Sequence, residues 1–208
     1  MIIPKLHYIS EGRTVAEHLE NIQKACSSGA ELVRWGFKKN NVEALKEARE
    51  ITSHFQTRLL ITDDYKLVKE LNADGVFLNS ATKSAEVARK FLGKYYLIGG
   101  DAGHVDDCRK LIDGGVDYIE LAPFRTENES ENALGLNGYL TIIESLKSDV
   151  PIMAKGEITL ADVLDLLVSG VYGVALSSEV TDFNEISKFN MTLKGPDFKE
   201  EVWKNLQS

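Results

Sequence analysis

Four times along this chain a helical stretch gives way to a glycine-bearing turn and then to a short run of β-formers. The copies are Gly29-Ala30-Glu31-Leu32-Val33-Arg34-Trp35, Ala73-Asp74-Gly75-Val76-Phe77-Leu78, Gly115-Val116-Asp117-Tyr118-Ile119-Glu120-Leu121 and Gly170-Val171-Tyr172-Gly173-Val174-Ala175-Leu176. A glycine at a helix end supplies the left-handed conformation that turns the chain back. The apolar run behind it is too short for a helix and suits a buried strand. Further strand candidates, residues 6–10, 59–62, 96–99 and 151–154, fall between the copies. Eight strands, each followed by a helical stretch, predict a (β/α)8 TIM barrel. A doubly wound open sheet has the same alternation, but the even spacing and small helices favour closure. Closure would confine chemistry to the C-terminal ends of the strands.

The 208 residues are read as one domain, with the barrel over 1–190 and a helical C-terminal extension over 191–208. At 43% hydrophobic residues the chain can bury a sizeable core. A net charge of −8 excludes a non-specific nucleic-acid binder, which needs a basic face, while leaving room for a local basic site. No stretch approaches the roughly 18 apolar residues of a membrane span. The start, Met1-Ile2-Ile3-Pro4-Lys5, lacks a signal-peptide layout. Cys26 and Cys108 lack metal-ligand spacing and read as free thiols, which suits the reducing cytoplasm.

Thr14 with Glu17 reads as a capping box for a helix reaching Ser27. Asn41 opens the next helix and Asp64 caps a short third one through Leu71. Helices are expected over 83–92, 105–113, 137–147, 159–168, 182–189 and 198–206. In the one opened by Thr159, Val163, Leu164 and Leu167 are placed on one face. The longest connection, 123–135, is polar and acidic and follows the sixth strand, where a binding loop is expected.

At the strand ends a series of short pieces accumulates: Asp63-Asp64, Ala73-Asp74-Gly75-Val76, Val116-Asp117-Tyr118-Ile119 and Ala122-Pro123-Phe124-Arg125-Thr126. Leu134-Gly135-Leu136, Pro151-Ile152 with Gly156-Glu157-Ile158, and Ser169-Gly170 with Gly173-Val174-Ala175 complete it. In this order and spacing they resemble the thiamine-phosphate synthase and thiazole tautomerase family over nearly the whole chain. The synthases join a hydroxymethylpyrimidine diphosphate to a thiazole phosphate with loss of diphosphate, using magnesium. The tautomerases isomerise a thiazole carboxylate phosphate in the same barrel. The resemblance thus implies small phosphorylated heterocycles as partners, Mg²⁺ as cofactor and a homodimer.

Against the family's Gln-x-Arg-x-Lys run the chain reads Arg34-Trp35-Gly36-Phe37-Lys38. Lys38 is kept as a diphosphate holder, Gly36 replaces the arginine, and Arg34 can supply the charge from the glutamine's place. The family's Asn-Asp pair is Thr62-Asp63, which implies Asp63 as a magnesium ligand; capping the third helix is the other role open to it. The second metal aspartate falls at Thr82. Of the Pro-Thr-x-Thr-Lys phosphate loop Thr126 survives, with Asn128 and Glu129 in the later positions. A Gly-Gly phosphate cradle becomes Gly156-Glu157, whose carboxylate repels phosphate. The tautomerases' histidine aligns with Pro123, leaving His104 as the nearest substitute.

Strand alternation puts Lys155 on the side of Met153, toward the family's pocket, where it can act as base or Schiff-base former. The plainer expectation is that Lys155 pairs inside the barrel with Glu120, which stands in the place of a family glycine. Asp101 is read as a general base or as a turn residue before its helix. Phe77 is the stacking candidate for a flat heterocycle, whereas Trp35 and Phe37 alternate away and are expected against the outer helices. Ser177 and Ser178 end the eighth strand, as phosphate binders or as ordinary loop polarity. Three functions follow: a synthase-like transferase using Lys38, Asp63 and Thr126; a non-catalytic relative that binds a phosphorylated heterocycle or a partner enzyme; or altered chemistry at Lys155 with Glu120 or Asp101 as proton carriers. All require Lys38, Asp63, Glu120 and Lys155 to meet on one rim.

Overall fold

Strand residues two apart face the same way, and short strands in this protein use that alternation to build two separate cores. The computed structural model describes residues 2–79, 85–126 and 133–195. Its strands are β1 (Leu6–Ile9), β2 (Leu32–Arg34), β3 (Arg58–Thr62), β4 (Gly75–Leu78), β5 (Leu97–Ala102), β6 (Tyr118–Leu121), β7 (Ile152–Lys155) and β8 (Gly173–Leu176). They pair in chain order as a closed parallel barrel, β8 returning onto β1 with Leu6 opposite Val174. Val33, Leu59, Ile61, Val76, Ile98 and Ile119 face outward into the helix-covered core. Leu32, Leu60, Phe77, Leu97, Tyr118 and Met153 fill the interior. The TIM barrel expected from the repeat is the observed fold.

The helices are α1 (Val15–Ser27), α2 (Val42–His54), α3 (Tyr65–Glu70), α4 (Ala85–Leu92), α5 (Val105–Asp113), α6 (Gly135–Leu146), α7 (Val163–Val168) and α8 (Asn184–Lys194). The expected caps form: Thr14 accepts from the Glu17 amide at 3.2 Å, Asn41 from Ala44 at 3.2 Å and Asp64 from Lys66 at 3.1 Å. Glu17 closes its box on the Arg13 amide rather than on Thr14. α8 runs past Phe189 to Lys194. A 3-10 turn, Leu160–Asp162, precedes α7 and shifts its phase. Val163 and Leu166 are therefore buried, and Leu164, expected on the apolar face, is 56% exposed. The helix expected over 198–206 lies outside the described residues.

The repeated turn has two versions. Gly29, Gly115 and Gly170 take positive φ, at 95°, 81° and 92°. In the second copy Asn72 makes the turn instead, and Gly75 already belongs to β4. A Cβ at Gly75 would lie 2.1 Å from the Leu97 carbonyl oxygen, so glycine there permits close strand approach. Two copies also carry an aspartate clasp at the strand N-termini. Asp74 accepts from the Leu59 amide at 2.8 Å and pairs with Arg49 at 2.6 Å. Asp117 accepts from the Ile98 amide at 2.7 Å and pairs with Arg89 at 2.6 Å. Cys26 and Cys108 are buried free thiols; burial pushes both up, Cys108 to about 11. No described helix is long and apolar enough to cross a membrane.

Candidate active site

One pleat above the apolar interior, the same alternation carries polar side chains: Arg34 above Leu32, Thr62 above Leu60, Asn79 above Phe77, Glu120 above Tyr118 and Lys155 above Met153. All of these but Glu120 meet at the C-terminal mouth. A cavity of about 420 Å³ there is lined by Arg34, Lys38, Thr62, Asp63, Asn79, Lys155 and Ser177 among others. Lys38, Asp63 and Lys155 thus share one rim, as expected. Glu120 lies beneath it, fully buried.

The charges on this floor pair differently from expectation. Arg34 Nη2 donates to Glu120 Oε2 at 2.9 Å, and Nη1 donates to Asn79 Oδ1 at 3.2 Å. Lys155 Nζ donates to Asp101 Oδ1 at 2.9 Å, so the expected Lys155–Glu120 pair is replaced by two others. Register is the reason. Met153 is the partner of Glu120 across β6 and β7, which starts Lys155 one pleat nearer the mouth, while Arg34 reaches Glu120 across the barrel. Burial alone would raise the Glu120 carboxyl; Arg34, with His7 and Lys155 close by, outweighs it and holds the group below the usual range. His7 Nδ1 stands 3.8 Å from Glu120 Oε1, and its ring meets Tyr118 edge-on at 4.7 Å. Burial pushes the Tyr118 hydroxyl well up.

Phe77 is not a stacking platform for a ligand. It is fully buried, with the Arg34 guanidinium 3.7 Å above its ring, so the cation takes the face a heterocycle would need. Trp35 is buried against His18 and Phe37 on the outer side, as expected. Gly36, in the place of the family arginine, is locked by its neighbour: a Cβ would sit 2.0 Å from the Ser10 carbonyl oxygen. Its amide donates to Ser10 Oγ at 2.9 Å, and that hydroxyl lies 2.8 Å from His18 Nδ1. Burial holds His18 below the ordinary histidine range, in keeping with an acceptor nitrogen.

Asp64 takes the helix cap, which leaves Asp63 to face the cavity. Asp63 has a φ of 64° and accepts from the Asn79 amide at 2.9 Å. Thr62 donates its hydroxyl to the Trp35 carbonyl. Gly156, at φ 106°, packs against 123–125, where a Cβ would lie 3.1 Å from the Phe124 nitrogen and the Arg125 oxygen. Ser177 donates its hydroxyl to Glu11 and its amide to Glu179. Thr126 is half-buried after β6 and Ser178 is exposed; neither lines the mouth cavity, and neither does the exposed His104. Thr82, Asn128 and Glu129 lie outside the described residues. Asn79, Glu11 and Glu179 were not singled out from sequence. Alternation from Phe77 could have found Asn79, whereas Glu179 reads there as ordinary loop charge.

Among the described residues no three metal-ligating side chains cluster. Asp63 lines the mouth with Thr62 and Asn79, and among the described residues Glu11, held by the Ser177 hydroxyl, is the other carboxylate of the cavity. This fits a Mg²⁺ that keeps its waters and takes its other oxygens from substrate phosphates, and does not fit an all-protein cage.

The family model described as thiamine monophosphate synthase matches residues 6–180. A thiamine-phosphate synthase of Flavobacterium psychrophilum is 35% identical over 203 residues, covering 91% of this chain and 98% of that protein. One of Flavobacterium johnsoniae is 34% identical over 191 residues, covering 87% and 90%. A thiamine phosphate pyrophosphorylase from Pyrococcus furiosus shares the fold with a TM-score of 0.77 at 22% identity, covering 92% of this chain and 97% of its own. The barrel, the mouth and these matches along nearly the whole chain lead to one assignment: the chain belongs to the thiamine monophosphate synthase family.

Proposed function

We propose that this protein is a transferase of the thiamine-phosphate synthase type, joining a pyrimidine diphosphate to a thiazole. The carbon–oxygen bond to diphosphate breaks first, diphosphate leaving with the electron pair, and the thiazole nitrogen then bonds to the stabilised pyrimidine methylene cation. The observation that carries the reading is the single cavity shared by Lys38, Thr62, Asp63, Lys155 and Ser177. Lys38 neutralises the departing diphosphate, and Asn79, fixed by Arg34, orients Asp63. Asp63 would hold Mg²⁺ together with substrate phosphate oxygens, and the ion would supply charge neutralisation of the diphosphate. Asp101 fixes Lys155 at the opening, where the ammonium adds to the positive side of the mouth. The resemblance carries with it a homodimer in the cytoplasm; light scattering reads the assembly.

The test is diphosphate release from the pyrimidine diphosphate with Mg²⁺ and a thiazole, supplied either as the alcohol or as its phosphate ester. Release is expected with one of them, falling about 100-fold in Lys38→Ala and in Asp63→Ala. No release with either thiazole overturns the reading in favour of a non-catalytic relative.

A further inference from the structure

The turn after β8 folds back so that one carboxylate bridges two loops. Glu179 Oε1 accepts from the Glu157 amide, after β7, and Oε2 accepts from the Ser177 amide, after β8, both at 2.7 Å. The Ser177 hydroxyl is engaged too, by Glu11. Amides from separate loops aimed at one point make a concavity for an anion. In barrels of this kind the loops after the seventh and eighth strands are a frequent place for phosphate. Here the anion is a side chain of the protein itself.

We propose that Glu179 is a specificity-determining residue. Its carboxylate fills the two-amide cradle beside the mouth, so the acceptor taken there is a heterocycle ending in a neutral hydroxyl, not in a phosphate monoester. That the heterocycle is a thiazole rests on the transferase reading; the cradle does not. An ester phosphate must displace a bidentate, charge-assisted contact and then sit close to Glu11. Among the described residues three nearby cations are already committed, Arg125 to Asp162, Lys155 to Asp101 and Arg34 to Glu120, while Lys38 lines the mouth cavity with Ser177. A hydroxyl meets none of this opposition and can donate to the carboxylates already in place.

Calorimetry with a hydroxyalkyl thiazole, its phosphate ester and inorganic phosphate tests the proposal. The native protein is expected to bind the alcohol at least about ten-fold more tightly than the ester, and Glu179→Ala to reverse that order. Glu179→Gln keeps the size and loses the charge, and is expected to shift the ratio the same way. Inorganic phosphate, which is blind to the heterocycle, is expected to bind Glu179→Ala at least about ten-fold more tightly than the native protein. A native preference for the ester, an unchanged ratio in both variants, or phosphate bound by neither protein overturns the assignment. If neither variant folds, the native ratio alone decides. Diphosphate release is read separately: its absence with the binding order intact sinks the transferase reading and leaves Glu179's role standing.

Discussion

At Glu120 a carboxylate is held out of solvent between Arg34 and His7. Glu120→Gln leaves the buried guanidinium without its counter-ion and is expected to cost about 3–5 kcal/mol in urea unfolding. The double variant Arg34→Met with Glu120→Leu is expected to recover most of that loss, because a buried pair exchanged whole for apolar groups is close to neutral. The pH dependence has a definite sign. The folded Glu120 value lies below its ordinary 4.5, so its contribution is full above about that pH and is lost as pH falls through the lower folded value. His18 acts earlier. Its folded value lies below 6.5, the neutral ring is native, and stability declines as pH drops from about 6.5 toward that folded value. Urea midpoints measured down the pH scale are expected to show both losses, the first absent in His18→Gln. Alternation makes the inward direction of Lys155 and of Glu120 legible in sequence. Their partners are not legible, because pairing depends on the register of β6 on β7 and on the reach of side chains from β2 and β5.

Helices were legible where their signals are local. Thr14, Asn41 and Asp64 cap as their spacing implies, since a cap needs only its own next turn. Asn41→Ala is expected to cost about 1 kcal/mol, read as a shifted urea midpoint with an unchanged slope. α7 misled because its first turn winds as a 3-10 helix, so Leu164 rotates to solvent and Leu166 inward. The aspartate clasps were equally hidden. Asp117 stands in a family piece whose sequence names no partner, yet it joins the β5 backbone to a helix arginine. Asp117→Ala removes the acceptor from the partly buried Ile98 amide and is expected to destabilise by about 1–3 kcal/mol on the same assay.

The whole molecule closes where β8 meets β1, and Gly173 stands at that seam. A Cβ there would lie 2.1 Å from the Lys5 carbonyl oxygen. Gly173→Ala is expected to destabilise by about 3 kcal/mol or more, as overpacking against rigid backbone does. Gly93→Ala, with φ 81° and open space around it, is expected to cost only about 1–2 kcal/mol in the same denaturation experiment. The barrel was readable because its repeat is written in consecutive residues. The mouth was readable only as a list of inward positions, because Glu179 and Asn79 act through loops that converge in space. The buried Arg34–Glu120 couple has a historical consequence. Removing either charge singly strands the other largely out of solvent, so mutational routes to an uncharged floor are easiest when both positions change together. Once such a couple is in place, single changes that delete one charge are disfavoured by the instability of the resulting intermediate.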